Sequence, residues 1–263
     1  MITRSWKGRI ARDLLDLYEN AAGFRTPREE SVRTRFSAFH LHHYQTDLLA
    51  FLRSRISAPC VFVDVGANIG YVSRAASRII GTGGKVVAFE PNPTVFALLQ
   101  ENCARLKNVT IHNFAVGEQE GVLSLGFRAD HTGEASLLAS PGTAGETQVK
   151  VPVVTLASYF STFDAAAKIF LKIDVEGFEL PVLRGLGSGR LPDCVIAEYN
   201  PKWQRRGGFS PEEFYAWFSS RGYHIHIMGP GGRLAPATLE DFHRALQTTS
   251  DTESFDLVGL IAG

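Results

Sequence analysis

Cysteine is scarce in this chain, and that scarcity argues against two kinds of scaffold at once. Cys60, Cys103 and Cys194 are far apart, odd in number and set among apolar neighbours. A disulfide framework or a cysteine-based zinc site does not fit such usage, so they read as reduced core thiols. No apolar run approaches the roughly 18 residues that a membrane-spanning helix requires. The N-terminal stretch MITRSWKGRIARDLLDLYEN also lacks the continuous apolar core of a secretion signal. A cytoplasmic protein is the expectation. Excess charge of one sign is missing too: Lys+Arg and Asp+Glu both number 27, so bulk composition gives no support to a nucleic-acid partner. The first 36 residues, with seven Arg and one Lys against five acids, read as a solvated basic helix face. Repeats and low-complexity tracts are absent.

What is present is the composition of an ordinary globular protein, 44% hydrophobic and 21% charged. A length of 263 residues suits one large α/β domain. Ile10, Leu14, Leu17 and Tyr18 recur at helical spacing, and Tyr44 to Ile56 reads as a second helix with Leu48, Leu49 and Leu52 inside. Residues 1–57 are therefore expected to form a helical extension packed on a core domain at 58–263. In the core, CVFVDVG, KVVAFE (85–90) and VTIHNFAV (109–116) read as buried strands separated by helices. Glycines 81, 83 and 84 stop the first of those helices, and Asn92 followed by Pro93 starts the second. Such alternation implies crossover connections and a parallel sheet.

The pattern then changes. Leu123, Leu125 and Phe127 alternate, as do Val149, Val151 and Val153, which suggests an antiparallel pair joined by a loop at 129–147 that is a candidate lid. KIFLKIDV (168–175), a helix over about 179–187 and CVIAEYN (194–200) restore the parallel pattern. A capping box at Ser210 starts another helix, and YHIHIM (223–228) and FDLVGLIAG (255–263) supply the last two strands. The expected architecture is a Rossmann-like, doubly wound, mostly parallel seven-stranded sheet with an antiparallel last strand and an inserted hairpin.

Three segments carry chemistry. Asp64-Val65-Gly66-Ala67-Asn68-Ile69-Gly70 closes the first strand with a tight turn that aims backbone N–H groups and a helix start at a ligand. A dinucleotide fingerprint wants glycine at 66, 68 and 71; the chain has Gly66, Asn68 and Tyr71. That mismatch, with Asp64 alongside, disfavours a pyrophosphate and hence a nicotinamide dehydrogenase. Glu90 ends the next strand, where a carboxylate accepts both hydrogen bonds of a ribose diol; it also precedes a helix start, where an acid is favoured anyway. Together with the glycine turn it points to an adenosine ligand. Asn92, beside it, is a further cofactor-contact candidate. The third segment, Lys172-Ile173-Asp174-Val175-Glu176-Gly177-Phe178-Glu179, alternates charges at 172, 174 and 176 at the end of a central strand, where burial is costly unless the charges are paired or used.

With these residues in view, the chain resembles the FkbM-type methyltransferase family. Its D-x-G-A-N-x-G turn stands at 64–70, F-E-P at 89–91, A-V-G at 115–117 and K-x-D-V-E-G at 172–177. The resemblance implies transfer of a methyl group from S-adenosylmethionine, with S-adenosylhomocysteine as product, to a hydroxyl of a sugar, glycan or natural product. It places Gly66, Asn68 and Gly70 around the cofactor and Glu90 on its ribose. It sets Asn113 to Ala115 near the adenine, and Asp174 near the methionine end or the acceptor.

Deprotonating a hydroxyl needs a positioned base. Asp174 and Glu176 lead, Glu198 is third, and Lys172 could orient a carboxylate or bind acceptor oxygen. No metal ligands are assigned, and a metal requirement is left open. His40, His42 and His43 form a cluster that reads as surface or acceptor-facing, with a metal site or a base among them as alternatives. Tyr44 and Trp203 offer flat faces to a ring, although core packing is the plainer use. Other readings are methylation of nitrogen or a carboxylate on a small molecule, and a silent adenosylmethionine-binding scaffold.

Overall fold

A computed structural model describes residues 45–128, 131–136, 147–251 and 253–261, together with Leu15, Glu19 and residues 23–26. The expected helix through Ile10, Leu14, Leu17 and Tyr18, the three histidines at 40, 42 and 43, and Tyr44 lie outside the described residues, or outside all but single positions of them.

The chain runs from α1 (Thr46–Arg55) into β1 (Cys60–Val65), α2 (Tyr71–Ile80), β2 (Lys85–Phe89), α3 (Pro93–Cys103) and β3 (Val109–His112). All six residues of β1 are buried, as a strand covered by helices on both faces demands. Gly70, at φ 89°, turns the chain into α2, and Gly81, at φ 65°, ends it. The Asn92 side chain accepts the Thr94 N–H, with Pro93 at the first helical position of α3.

A second, smaller sheet follows: β4 (Ala115–Val116), β5 (Gly121–Arg128), β6 (His131–Ser136) and β7 (Thr147–Val154), in the order β4-β7-β5-β6. Two expectations are corrected here. The stretch 109–116 is not one strand: it breaks at Asn113 and Phe114, and Ala115 and Val116 leave the main sheet to pair with Val153 and Val154 of β7. The Asn113 amide causes the break's geometry by donating to the carbonyls of Glu90 and Pro91 at 2.8 and 3.0 Å. Nor is 129–147 wholly a loop, since residues 131–136 form β6 against β5. The β5–β7 pair is antiparallel, as alternation suggested, and Ala115, Leu125, Phe127, Val151 and Val153 make its buried cluster.

The main sheet resumes after α4 (Leu156–Phe160) with β8 (Lys168–Ile173), α5 (Glu179–Arg184), β9 (Cys194–Tyr199), α6 (Pro201–Gly207) and α7 (Pro211–Ser219). The Ser210–Glu213 capping box is formed. Then come β10 (His224–Gly229), β11 (Arg233–Pro236), α8 (Leu239–Thr248) and β12 (Phe255–Leu260). Strand order is β11-β10-β12-β9-β8-β1-β2-β3. β12 runs antiparallel to both β9 and β10, while β1, β2, β3, β8 and β9 are mutually parallel. The sheet has eight strands, not the expected seven. β11 is the addition, a short return on β10 whose RLAP sequence has no apolar alternation to announce it.

Strand parity assigns every residue a face. Val61, Val63, Val65, Ile169, Leu171, Ile173, Val195, Ala197 and Leu257 belong to one buried cluster. Cys60, Phe62, Phe170, Cys194, Ile196 and Val258 belong to the other, beneath α1 and α2. Leu48, Leu49, Phe51 and Leu52 of α1 are buried there, each side chain worth about 1.5–3 kcal/mol of burial. Gly232, in the turn before β11, meets α1 so closely that a Cβ would lie 2.4 Å from the Phe51 nitrogen. By the same parity Asp64, Lys172, Glu198 and Asp256 all point to the α1 side.

Candidate active site

The order of the main sheet reverses at β1: β2 and β3 lie on one side, β8 and β9 on the other. In open α/β sheets the crevice beyond the carboxyl ends at such a point receives ligands, and the three chemical segments meet there.

Backbone groups build the wall at β1 and β2. The Gly66 and Ala67 N–H groups both donate to the Phe89 carbonyl, at 3.0 and 2.9 Å. Gly66 (φ 78°) approaches β8 so closely that a Cβ would sit 1.8 Å from the Asp174 carbonyl oxygen. Asn68 is left-handed at φ 50°, and its Oδ1 accepts the Ile69 N–H at 2.7 Å. Glu90 joins two turns: one oxygen accepts the Asn68 N–H and the other the Asn92 N–H, both at 2.8 Å. Each oxygen keeps lone-pair capacity for a further donor. Burial pushes the Glu90 carboxyl up to about 7, with Asp64 adding to it, against the pull of its two backbone donors and Lys172. Asn92 is fully buried and caps α3. Asn113 spends its amide hydrogens bracing the Glu90–Pro91 turn, while Ala115 is buried in the second sheet.

Side chains build the opposite wall. Asp64 and Lys172 are register partners on β1 and β8, and their charged atoms lie 3.3 Å apart. The Lys172 ammonium also lies 3.3 Å from Asp174 and donates to the Gly66 carbonyl at 3.1 Å. Two carboxylates and one carbonyl thus surround it. At 4% exposure it is sealed from solvent, which suits orienting carboxylates better than binding acceptor oxygen. Burial works to lower its pKa, but Asp174 and Asp64 outweigh burial and hold it above the ordinary lysine range. Ser73 donates to the other Asp64 oxygen at 2.6 Å.

Asp174, Glu176 and Glu198 each offer a carboxylate oxygen, all within 4.8 Å of one another. The sequence assigned no metal ligands; this trio is nonetheless a hard-oxygen donor set of the kind Mg²⁺ or Ca²⁺ accepts. Burial, then Asp174, lifts the Glu198 carboxyl well above its ordinary value, and Glu176 and Asp256 add to the rise, while a hydrogen bond from Ser254 at 2.6 Å opposes it. Asp256, paired in register with Glu198 across β9 and β12, is raised to about 6, chiefly by burial and then by Asp174.

Sequence reasoning missed five residues here. Gln45, at the start of α1, donates to Asp174 at 3.5 Å. Asp256 arrives on β12 and Ser254 just before it, and Glu179 and Gln204 brace the turn at Glu176. Asp256 had a signal, an acid within an apolar strand; Gln45 and Gln204 had none. Trp203 is closed as a stacking surface, being buried with Lys202 and Arg206 each 5.2 Å from its ring.

The fold and crevice define a Rossmann-like methyltransferase of the class I type. The methyltransferase FkbM domain model matches residues 64–225, more than half of the chain. The chain thus belongs to the FkbM methyltransferase family, whose methyl donor is S-adenosylmethionine. It is 30% identical over 189 residues to Methyltransferase 1 of Beauveria bassiana, covering 64% of this chain and 74% of that one. It is 29% identical to the hexuronic acid methyltransferase AglP of Haloferax volcanii, covering 54% and 56%. To the 31-O-demethyl-FK506 methyltransferase FkbM of Streptomyces tacrolimicus it is 31% identical, covering 52% and 64%. The alignments thus span between about half and three-quarters of these relatives. Among the described residues, no helix is long and apolar enough to cross a membrane.

Proposed function

We propose that this protein methylates a hydroxyl oxygen of a sugar, glycan or natural product. The observation that carries the reading is the meeting of two unlike walls at one crevice: a glycine turn bridged to Glu90, facing three half-buried carboxylates. The relatives named for a hexuronic acid and for 31-O-demethyl-FK506 act on oxygen-rich acceptors and support it.

The crevice fits S-adenosylmethionine. Glu90 retains acceptor capacity for a ribose diol, and the Gly66 cradle excludes any side chain. Asp64, Asp174 and Glu90 supply negative charge that suits a sulfonium and would repel a pyrophosphate. When bound, the cofactor supplies an electrophilic methyl group. Gly66, Asn68, Gly70, Glu90 and Asn92 would hold it. Asn113 would act by fixing the Glu90–Pro91 turn, and Ala115 by closing the wall beside it. The chain's own task is to align the acceptor oxygen and remove its proton. Asp174 is held in an ion pair with the buried Lys172 ammonium, and the proton-accepting role is assigned to Glu198 and, beside it, Glu176. Glu198 is the better suited, because a carboxyl lifted above its ordinary range is the stronger base once ionised.

Calorimetry with S-adenosylhomocysteine, with NADH as control, tests the cofactor assignment; micromolar binding of the first alone is expected, and binding of NADH alone overturns it. Transfer of tritiated methyl groups to methyl glucoside, D-glucuronic acid and a primary amine then tests the acceptor atom. Label appearing solely on the amine would defeat the oxygen assignment.

A further inference from the structure

We propose that Glu179, backed by Gln204, is a positioning residue that holds the Glu176 carboxylate at the transfer site. The inference rests on reading Glu176 as one of the proton-accepting carboxylates.

Glu176 has φ 53°, a left-handed backbone that a residue with a long side chain seldom adopts without support. The support is one buried oxygen. Glu179 Oε1 accepts the N–H of Val175 at 2.9 Å and of Gly177 at 3.2 Å, the residues on either side of Glu176. Both donors lie upstream of α5, so the contact does more than cap the helix that Glu179 begins. The other Glu179 oxygen accepts from Gln204 Nε2. Glu179 and Gln204 are each 1% exposed, so water does not compete for these bonds.

Gln204 belongs to α6, the helix that follows directly on the strand bearing Glu198. The same helix touches the turn a second time: a Cβ on Gly207 would lie 2.9 Å from the Gly177 carbonyl oxygen. Two contacts therefore tie the Glu176 turn to the helix that directly follows the strand carrying Glu198, and this brace helps to set the separation of the two carboxylates. Burial pushes the Glu179 carboxyl up to about 7, against the pull of its backbone donors. The brace does not depend on that charge. A neutral group at 179 can still accept from Val175 and Gly177, and it can donate to Gln204 Oε1, a buried atom with no hydrogen-bond partner among the described residues, once the Gln204 amide turns over.

The test is hydrogen exchange on the full chain with saturating S-adenosylhomocysteine, comparing wild type, Glu179→Ala and Glu179→Gln. In Glu179→Ala the Val175 and Gly177 amides should exchange roughly tenfold faster or more, with the central strands unchanged. Glu179→Gln should restore wild-type protection, as conservative rescue requires. Wild-type protection in Glu179→Ala, failure of Glu179→Gln to rescue, or acceleration spread evenly over the sheet would overturn the proposal. Should Glu179→Ala fail to fold, Gln204→Ala removes only the outer bond; local acceleration at the same two amides is expected, and its absence would overturn the proposal equally. Failure of wild type to bind S-adenosylhomocysteine would strike the cofactor reading instead, and the exchange comparison would stand without ligand.

Discussion

The two walls of the crevice are made of different material. At β1 and β2 the surface is backbone: Gly66 and Asn68 take positive φ angles, the Gly66 and Ala67 N–H groups donate to the Phe89 carbonyl, and Glu90 is held by two main-chain donors. At β8, β9 and β12 it is side chain, with Asp174, Glu176, Glu198 and Asp256 gathered near the buried Lys172 ammonium. The backbone wall, proposed above to hold the cofactor, has no room for added atoms at Gly66. A charged wall is where acceptor chemistry can vary, and its stability depends on charges staying paired.

Gly66→Ala strikes the backbone wall hardest, because its Cβ would overlap the Asp174 carbonyl. We expect a loss upwards of about 5 kcal/mol in urea unfolding and no detectable S-adenosylhomocysteine binding. Mild destabilisation would show that the walls are not in rigid contact.

Lys172→Met breaks the charged wall by leaving Asp64 and Asp174 without their cation. Removing one partner of a buried pair costs about 3–4 kcal/mol. Denaturation should show that loss, partly recovered when Asp64→Asn is added. No recovery in the double variant would mean that packing, and not charge, is what Lys172 contributes.

Glu90→Ala should weaken S-adenosylhomocysteine binding about 10–100-fold, the equivalent of losing charged hydrogen bonds of roughly 1.5–3 kcal/mol. Unchanged affinity in a folded variant would remove Glu90 from the ribose site. The smallest expected effect is its pH dependence. The charged carboxylate is the form that accepts hydroxyl donors, and Glu90 titrates at about 7. Affinity should therefore fall as pH drops through that value, by roughly five- to tenfold between about pH 7.5 and 6. Calorimetry on Glu90→Gln should give a flatter profile; an equally steep one would assign the titration elsewhere.

Legibility in the sequence follows the same division. The glycine turn, the capped α3 and the buried strands are local, each written within a few consecutive residues, so the turn at 64–70 and the parallel sheet could be anticipated. The 109–116 strand misled because apolar residues resume at Phe114 just after Asn113, while the partner that captures Ala115 and Val116 lies nearly forty residues on, in β7. Asp174, Glu176 and Glu198 were visible as acids at strand ends. The contributions of Gln45 and Ser254 were not, since nothing near them in sequence marks a site, and Asp256 showed only as an acid within an apolar strand.

By itself the sequence determined the alternation of strands and helices, the turn at 64–70 and the acid that ends β2, because backbone conformation and short-range capping depend on neighbouring residues. Tertiary structure decided which charges meet. Strand parity and register place Asp64 beside Lys172 and Glu198 beside Asp256, and the packing of α1 brings Gln45 to Asp174. Those pairings depend on the order of strands in space, which settles only when the whole sheet closes on its two cores.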